Sequence, residues 1–267
     1  KTYQAAEAQA KKLNTNADEL MDRLLSTAWH EQIAQKILKD KRKGGGNGII
    51  QYGVTSDNIG YLSILSMSNH GDNFNADNIY DAMDTIDLVM EDAMKELADT
   101  KAVIVDVSLN DGGSDAIARK FATYFTDHRT FVYSKEAGDA KNRPRHDLYI
   151  EPNDGGRYLK PVYMLTSDLT ASAAEIFVMS MRALPNVTHV GETTTGSLSD
   201  TLSKTLPNGW WVSLSNEIYL DSQNTLWESK GIPPEINIPV FDPNDIFQGH
   251  YEAVTQVLQL IQGDRQN

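Results

Sequence analysis

The chain has 267 residues, a formal net charge of −13 at pH 7 and no cysteine, and it is long enough to build a substantial hydrophobic core. So acidic a surface repels nucleic-acid phosphates, and no apolar run approaches the roughly 20 residues that cross a bilayer, so we expect neither nucleic-acid binding nor membrane insertion. The lack of cysteine excludes a disulfide framework, thiol catalysis and cysteine-ligated zinc.

The first predicted element is a helical segment over residues 5–40, where leucine and isoleucine recur among charged and amide residues. A basic run and then the glycine cluster 44–48 follow, which predict a breaker or a flexible linker. We therefore divide the chain into an N-terminal helical segment with a Gly-rich linker, 1–48, and an α/β domain, 49–267. Because the chain starts at Lys1 without an initiator methionine, we expect it to be a processed or trimmed product of something longer.

From residue 60 onwards, short apolar strands alternate with helices. A strand at 60–65, a helix over about 79–97 and the nearly all-apolar strand 102–107 form a βαβ unit, and an all-apolar strand is typical of a sheet covered on both faces. The later predicted elements are, in order, a helix near 114–126, strands at 130–133 and 161–165, a helix near 171–183, a strand at 188–191, hairpin strands within 201–220 and a helix at 249–262.

The first candidate for chemistry is the segment from Asp106 to Gly113, Asp-Val-Ser-Leu-Asn-Asp-Gly-Gly, at the carboxyl end of a buried strand. In open α/β sheets this edge is where ligands bind. The pair Gly112-Gly113 allows the backbone to approach a substrate closely and leaves N–H groups free to point at an anion. A strand-to-helix turn that needs glycine for its dihedral angles explains the same pattern, and for the turn alone this is the favoured interpretation.

The second candidate is Ser172, which lies among small residues where a strand gives way to a helix. Unpaired N–H groups and the positive end of the helix dipole can stabilise an oxyanion there, so the hydroxyl could act as a nucleophile. Thr170 or Ser172 could equally be a helix N-cap, and such caps are far more common than nucleophiles. The surrounding motifs decide between these interpretations.

Four segments occur in the order and rough spacing of one peptidase family. They are Asp106–Gly113, Thr170–Glu175, Val190–Gly196 and Gly231–Ile236. This pattern resembles the C-terminal processing peptidase family, which includes the tricorn-like proteases and the retinoid-binding proteins of the retina. The family is marked by a strand end with paired glycines, a Ser-Ala nucleophile helix, a Val-Gly-Glu-x-Thr-x-Gly strand end and a late Gly-x-x-Pro. The resemblance covers roughly residues 58–240.

The resemblance implies a fold and a site. The fold is α/β, with a ClpP/crotonase-like mixed sheet core flanked by helices, and 49–267 becomes a peptidase-like catalytic domain. Ser172 takes the nucleophile position, and the backbone amides of Gly112, Gly113 and Ala173 form the oxyanion hole. The expected partner is a peptide or protein substrate, an oligomer is compatible, and no metal or cofactor is implied. A periplasmic or secreted bacterial origin is favoured over a cytoplasmic one.

The general base departs from the family pattern. Ser197 stands where the processing branch carries its lysine, and it could hydrogen-bond a water or the base, although a surface turn serine is more ordinary. Glu228 matches the glutamate of the tricorn-like branch, which orients a histidine or binds the substrate amine. No Asp-x-His occurs in the chain, and His70, which follows a core strand, is the best candidate base. His30 is more consistent with packing on a helix.

Three functions remain open from the sequence. The leading hypothesis is a tricorn-like serine peptidase that works through an acyl-enzyme on Ser172. A catalytically inactive binding protein that keeps the peptidase fold, for an apolar ligand or a peptide, is the second hypothesis, because the base is not assigned. A crotonase-like enzyme acting on thioesters is the third, and the lack of a recognisable coenzyme A site argues against it.

Overall fold

The computed structural model describes residues 1–23, 29–68, 79–138, 144–242 and 249–263, with the backbone alone for 22, 23, 29 and 30. Its helices are α1 (Thr2–Leu13), α2 (Ala17–Arg23), α3 (Trp29–Gln32), α4 (Ile79–Leu97), α5 (Asp115–Ala122), α6 (Ala173–Arg182) and α7 (Gly249–Gly263). A π-helix, Ile33–Ile37, follows α3, and a 3₁₀ turn, Thr123–Phe125, follows α5. None of these helices is both long and apolar enough to cross a membrane.

The strands are β1 (Lys43–Gly45), β2 (Ile50–Val54), β3 (Gly60–Ile64), β4 (Val103–Asp106), β5 (Thr130–Ala137), β6 (His146–Ile150), β7 (Val162–Thr166), β8 (Val187–Gly191), β9 (Thr201–Thr205), β10 (Trp211–Ser215), β11 (Glu217–Asp221) and β12 (Ile236–Asn237). The main sheet has the order β1-β2-β3-β4-β7-β8-β12. Its first three strands pair antiparallel and the others pair parallel. The predicted mixed sheet flanked by helices is therefore confirmed.

The sheet is buried on both faces. On one face, α4, α5 and α6 pack against alternate strand residues such as Leu62, Val105 and Met164. On the other face, the N-terminal helices and α7 pack against the intervening residues, among them Ile104 and Leu165. Because side chains alternate along a strand, a strand covered on both sides must be apolar throughout. This arrangement accounts for the nearly continuous apolar run of β4.

The N-terminal helical segment is interrupted rather than continuous. The chain leaves α1 at Asn14, which adopts the left-handed conformation with φ 54°. Asparagine tolerates this conformation better than most residues and often ends helices in this way. The prediction of a helical segment over 5–40 therefore holds in kind, but several short helices replace one long one.

The glycine cluster 44–48 contributes an edge strand to the main sheet. Gly44 and Gly45 lie in β1 and pair with Gln51 and Ile50. A Cβ atom on Gly45 would lie 2.4 Å from a side-chain carbon of Val89 on α4, so only glycine allows this close packing. The expectation of a flexible linker at this point is replaced by an ordered strand, and the division into 1–48 and 49–267 stays a prediction.

Two smaller sheets flank the main one. β11, β5 and β6 form a three-stranded sheet, and β9 and β10 form a separate hairpin. Tyr219 on β11 is buried, whereas Trp210 and Trp211 of the hairpin are 71% and 69% exposed. Aromatic residues of hairpins are more often in the core than exposed, and here Tyr219 follows that tendency while the two tryptophans do not.

Candidate active site

Three neighbouring strands bring the candidate residues to one edge of the main sheet. β4, β7 and β8 are adjacent and parallel, with Asp106 beside Leu165 and Thr166 beside Gly191. The carboxyl ends of parallel strands lie at the same edge of a sheet, where α/β proteins bind ligands. The turn after β4, the loop that leads to α6 and the loop after β8 are therefore neighbours, although they are far apart in the sequence.

The turn after β4 is shaped by Asn110 and the paired glycines. Asn110 is fully buried; its side-chain Nδ2 donates to the Ile64 carbonyl at 3.0 Å, and its Oδ1 accepts the Gly112 amide at 2.9 Å. Gly112 and Gly113 have φ angles of 110° and 139°, a region that L-residues rarely adopt. The role of Asn110 was not predicted from the sequence, although a lone asparagine two residues before paired glycines is a usable signal.

Ser172 lies directly against this turn. A Cβ atom on Gly112 would lie 2.7 Å from the Cβ of Ser172 and 3.0 Å from the amide nitrogen of Ala173. Ser172 has φ 54° and ψ −126°, which is a strained conformation for any residue other than glycine. Strain at a residue in a cleft indicates that its position serves something other than stability. The structure thus brings together Ser172 and the glycine turn, as the sequence predicted.

Two backbone amides beside Ser172 are free to bind an anion. The Gly112 amide is engaged by Asn110, but the amides of Gly113 and Ala173 have no acceptor among the described residues. Ala173 is also the first residue of α6, where the helix dipole favours negative charge. The amides that remain available to an anion are therefore those of Gly113 and Ala173, whereas the family resemblance also implied the Gly112 amide.

Glu175 holds the site together from within. Its carboxylate is fully buried and accepts four hydrogen bonds, from the Thr194 hydroxyl at 2.5 Å and from the amides of Gly196, Ser197 and Ser172 at 2.8, 2.8 and 3.2 Å. Burial raises the pKa of Glu175, and the four donated hydrogen bonds oppose this change. Glu175 therefore ties the start of α6 to the loop after β8 by hydrogen bonding.

Ser197 and Glu228 position the loop after β8. The Ser197 carbonyl accepts the Ser172 amide at 3.0 Å, and its exposed side chain lies next to the site. Glu228 accepts the amides of Leu198 and Ser199 at 2.8 and 2.9 Å. Both residues thus lie in or beside the loop that contacts the nucleophile candidate. Their predicted roles toward a base or a substrate remain predictions.

A cleft of about 540 Å³ opens beside Ser172. Gly113 and Ser172 line one side of it, and charged groups line the other. Lys135 in this cleft forms an ion pair with Glu217 at 2.7 Å, so its ammonium group is already neutralised. The cleft is large enough for a peptide side chain and its flanking backbone.

Two buried imidazoles, those of His189 and His250, are engaged by groups other than Ser172. Buried His189 contacts the Thr166 hydroxyl and Arg182 at 2.7 and 3.0 Å, and burial together with the Arg182 charge lowers its pKa to about 3. His250 contacts Asp106 at 2.7 Å. His70 lies outside the described residues, as does the side chain of His30. Ser68, two residues before His70, is packed against Gly113.

Asp106 is a buried carboxylate at the base of the glycine turn. Its oxygens accept the Tyr61 hydroxyl at 2.6 Å and the Ser108 amide and hydroxyl at 3.0 and 2.6 Å, and contact His250 at 2.7 Å. Burial by itself would raise the pKa of Asp106, but the interaction with the His250 imidazole and the hydroxyl bonds together lower it to about 2. This network fixes the end of β4.

The lowered pKa of Asp106 predicts an acid-sensitive contribution to stability. Because the folded pKa lies below the unfolded value near 3.9, the contribution is fully present above pH 4 and is lost as the pH falls through about 2. Its full size is about 2 kcal/mol, and about half is lost between pH 5 and pH 3. The free energy of unfolding, measured with urea, should fall between pH 5 and pH 3 by about 1 kcal/mol less in Asp106→Asn than in wild type. Equal pH dependence in the two proteins would contradict the assignment.

Comparison with known proteins agrees with the geometry. The model of peptidase family S41 matches residues 58–238. The carboxy-terminal processing protease CtpA of Bacillus subtilis (strain 168) is 28% identical over 189 residues, which are 71% of this chain and 37% of that protein. A protein of Chlamydia muridarum (strain MoPn / Nigg) is 25% identical over 88% of this chain and 39% of its own length. The chain thus spans less than two-fifths of these curated relatives.

Solved structures show the same fold. A protein of Parabacteroides merdae ATCC 43184, to which peptidase activity has been ascribed, is 26% identical with a TM-score of 0.70, covering 88% of this chain and 70% of that one. The photosystem II D1 C-terminal processing protease is 17% identical with a TM-score of 0.53, covering 73% and 46%, and it supports the fold alone. Since the family match extends over more than half of the sequence, the chain belongs to peptidase family S41.

Proposed function

We propose that the chain is a serine peptidase of the tricorn-like or C-terminal processing type, and that it hydrolyses peptide bonds through an acyl-enzyme on Ser172. The observation that carries this proposal is the contact between a strained serine and a glycine turn, with the free amides of Gly113 and Ala173 beside it. Acyl transfer requires a nucleophile and fixed oxyanion donors in one place. The closeness of the Ser172 side chain and these two free amides at the edge of the sheet supports the proposal.

The proposed reaction has two halves. The Ser172 Oγ attacks the scissile carbonyl and gives its proton to a base, and the negative charge that develops on the carbonyl oxygen is stabilised by the amides of Gly113 and Ala173. Each such donor is worth on the order of 3 kcal/mol of activation free energy. The C–N bond then breaks, and the base protonates the leaving amine. Water, deprotonated by the same base, hydrolyses the ester and restores Ser172.

His70 is the proposed general base. In the sequence, His70 follows Ser68 by two residues. Ser68 lies against Gly113 and therefore beside the glycine turn. An imidazole within about 3 Å of a serine Oγ can accept its proton at neutral pH. Glu228 is proposed to orient the base or to bind the substrate amine, and Ser197 to hydrogen-bond a water or the base.

A non-catalytic binding protein is the second candidate function. The observation that favours it is that the described imidazoles of His189 and His250 are buried and engaged elsewhere, and that Lys135 in the cleft is ion-paired. A fold that keeps its cleft without a base would still bind an apolar ligand or a peptide. Reactivity of Ser172 distinguishes the two candidates.

We expect a fluorophosphonate probe to label the wild-type chain at Ser172 and to leave Ser172→Ala unlabelled. An activated serine reacts because its hydroxyl is deprotonated as it attacks the phosphorus atom. Ser114→Ala is the matched control, because Ser114 lines the same cleft and also precedes a helix; it should be labelled at the wild-type rate. Mass spectrometry of the labelled peptide identifies the site.

A folded wild-type chain that stays unlabelled beside a labelled control protease would reject the catalytic role and favour the binding protein. The same probe tests the base. If His70 accepts the proton, His70→Ala should lower the labelling rate by about 100-fold or more while Ser172 remains the labelled residue. An unchanged rate would assign the base elsewhere.

A further inference from the structure

The hairpin of β9 and β10 has one apolar and one polar face. The register pairs Leu202 with Leu214, and the Leu206 amide donates to the Trp210 carbonyl at 2.7 Å, so the same register continues to the turn. Since alternate residues point to opposite faces, one face combines apolar side chains with a single lysine. Its apolar members are Leu202, Leu206, Trp210, Val212 and Leu214. The opposite face is serine and threonine, apart from Trp211.

This apolar face is open to solvent. Leu214 is 61% exposed and Trp210 is 71% exposed. In the part of the chain that the structure describes, β9 pairs only with β10. A two-stranded hairpin is marginally stable alone, and exposed apolar clusters of this kind mark binding surfaces. The exposed apolar face therefore indicates that another segment binds to this hairpin.

The open edge of β9 presents specific backbone groups. Antiparallel partners alternate between hydrogen-bonded and non-hydrogen-bonded pairs. The Leu206 amide bonds Trp210, and the Asp200 carbonyl accepts the Asn216 amide at 2.9 Å, so even-numbered residues of β9 face β10. Ser203, like the other odd-numbered residues, directs its N–H and C=O to the open edge. That edge is a template for one more strand.

The same edge starts at the cleft beside Ser172. Ser199, Asp200 and Thr201 line the cleft and lead directly into β9. A chain lying with its carbonyl carbon near Ser172 and continuing along this edge stays extended, which is the conformation that strand addition requires. The hairpin is therefore continuous with the proposed active site.

We infer that an extended segment of the peptide substrate adds as a strand to the open edge of β9, with apolar side chains at alternate positions covering Leu202 and Leu206. This inference rests on the proposed function, since the added strand is the substrate of Ser172. Backbone hydrogen bonds to Ser203 and its odd-numbered neighbours supply affinity, and the apolar face selects the side chains. The preferred substrate therefore alternates apolar and polar residues beside the cleaved bond.

Binding is tested with the Ser172→Ala chain, which does not turn the peptide over. The probe is a fluorescein-labelled decapeptide alternating leucine and threonine, compared by anisotropy with a peptide of the same composition whose leucines are contiguous. The alternating peptide should bind about tenfold more tightly. Adding Ser203→Pro should weaken its binding about tenfold, because proline removes an edge N–H and leaves the pairing with β10 intact. Ser203→Ala, the matched control, should change binding less than about twofold.

A second measurement leaves the protein unchanged. Methylation of every second peptide amide should weaken binding about tenfold in one register and leave it unaffected in the other, because only one set of amides faces β9. Equal binding of both methylated peptides, or wild-type binding by folded Ser203→Pro, would overturn the inference. So would sedimentation showing that Ser203→Pro dissociates a dimer while peptide binding is unchanged, since the occupant would then be a second copy.

The two proposals fail separately. If Ser172 is labelled by the fluorophosphonate but both methylated peptides bind equally, the peptidase stands and the strand addition is rejected. If only one of the two methylated peptides binds more weakly but Ser172 is unlabelled, the hairpin binds peptides in a protein without catalysis. Strand addition to β9 then stands, and the peptidase is rejected.

Discussion

Replacing Gly112 by alanine is expected to lower labelling of Ser172 at least about 100-fold and the free energy of unfolding by about 3 kcal/mol. The added Cβ would lie 2.7 Å from the Cβ of Ser172 and 2.9 Å from the Ala171 carbonyl oxygen. Neither contact can relax without moving Ser172 relative to the amides of Gly113 and Ala173. The φ of 110° adds backbone strain for any L-residue.

Gly48→Ala is the control for this substitution. Gly48 also has a positive φ, 80°, but a Cβ there would meet nothing within 4 Å. It should lose about 1 kcal/mol of stability from backbone strain alone and keep the wild-type rate of labelling. Chemical denaturation and the rate of probe labelling, measured on both variants, distinguish the effect of backbone strain from that of the steric contacts with Ser172 and Ala171. Equal losses of labelling in the two variants would contradict the role assigned to Gly112.

Glu175→Gln is expected to cost about 3 kcal/mol or more of stability and to lower labelling about 100-fold. Each carboxylate oxygen of Glu175 accepts two hydrogen bonds. A glutamine offers only one oxygen, and its NH₂ group must then face either the Ser197 amide or the Gly196 amide, which donate to the carboxylate in the wild-type protein. The Ser172 and Ser197 amides would lose the group that aligns them.

Glu192→Gln is the matched control, since the half-buried Glu192 side chain accepts one hydrogen bond from the described residues, donated by the Val240 amide at 3.1 Å. It should cost less than about 1 kcal/mol and leave labelling unchanged. Urea unfolding of both variants gives the comparison. A Glu175→Gln protein as stable and as reactive as wild type would show that the four bonds do not hold the site.

The sequence predicted the elements whose patterns are local. The apolar run of β4, the helical spacing of α4 and the Pro-Asn-Gly turn of the hairpin each carry their signal within a few residues. β1 was missed because two glycines carry no pattern, and their place in the sheet depends on contact with Val89, far along the chain. Short edge strands of this kind are specified by tertiary packing rather than by propensity.

The site was predictable as far as its motifs extend. Ser172 and the paired glycines belong to motifs that can be recognised from the sequence. That the Gly112 amide is occupied by Asn110 could not be predicted, because the bond depends on a side-chain orientation that the turn itself creates. The exposure of Trp210 was likewise unpredictable, since alternation shows which residues share a face but not whether anything covers it.

The contact between His250 and Asp106 makes the edge of the sheet that carries the glycine turn depend on α7. Until α7 has been synthesised, the Asp106 carboxylate keeps the hydrogen bonds from Tyr61 and Ser108 but lacks the imidazole, and a buried charge that has lost a partner is destabilising. The end of β4, and with it the glycine turn, cannot settle before that point. A nascent chain emerging from the ribosome would therefore carry a less stable glycine turn beside Ser172 until α7 has been made.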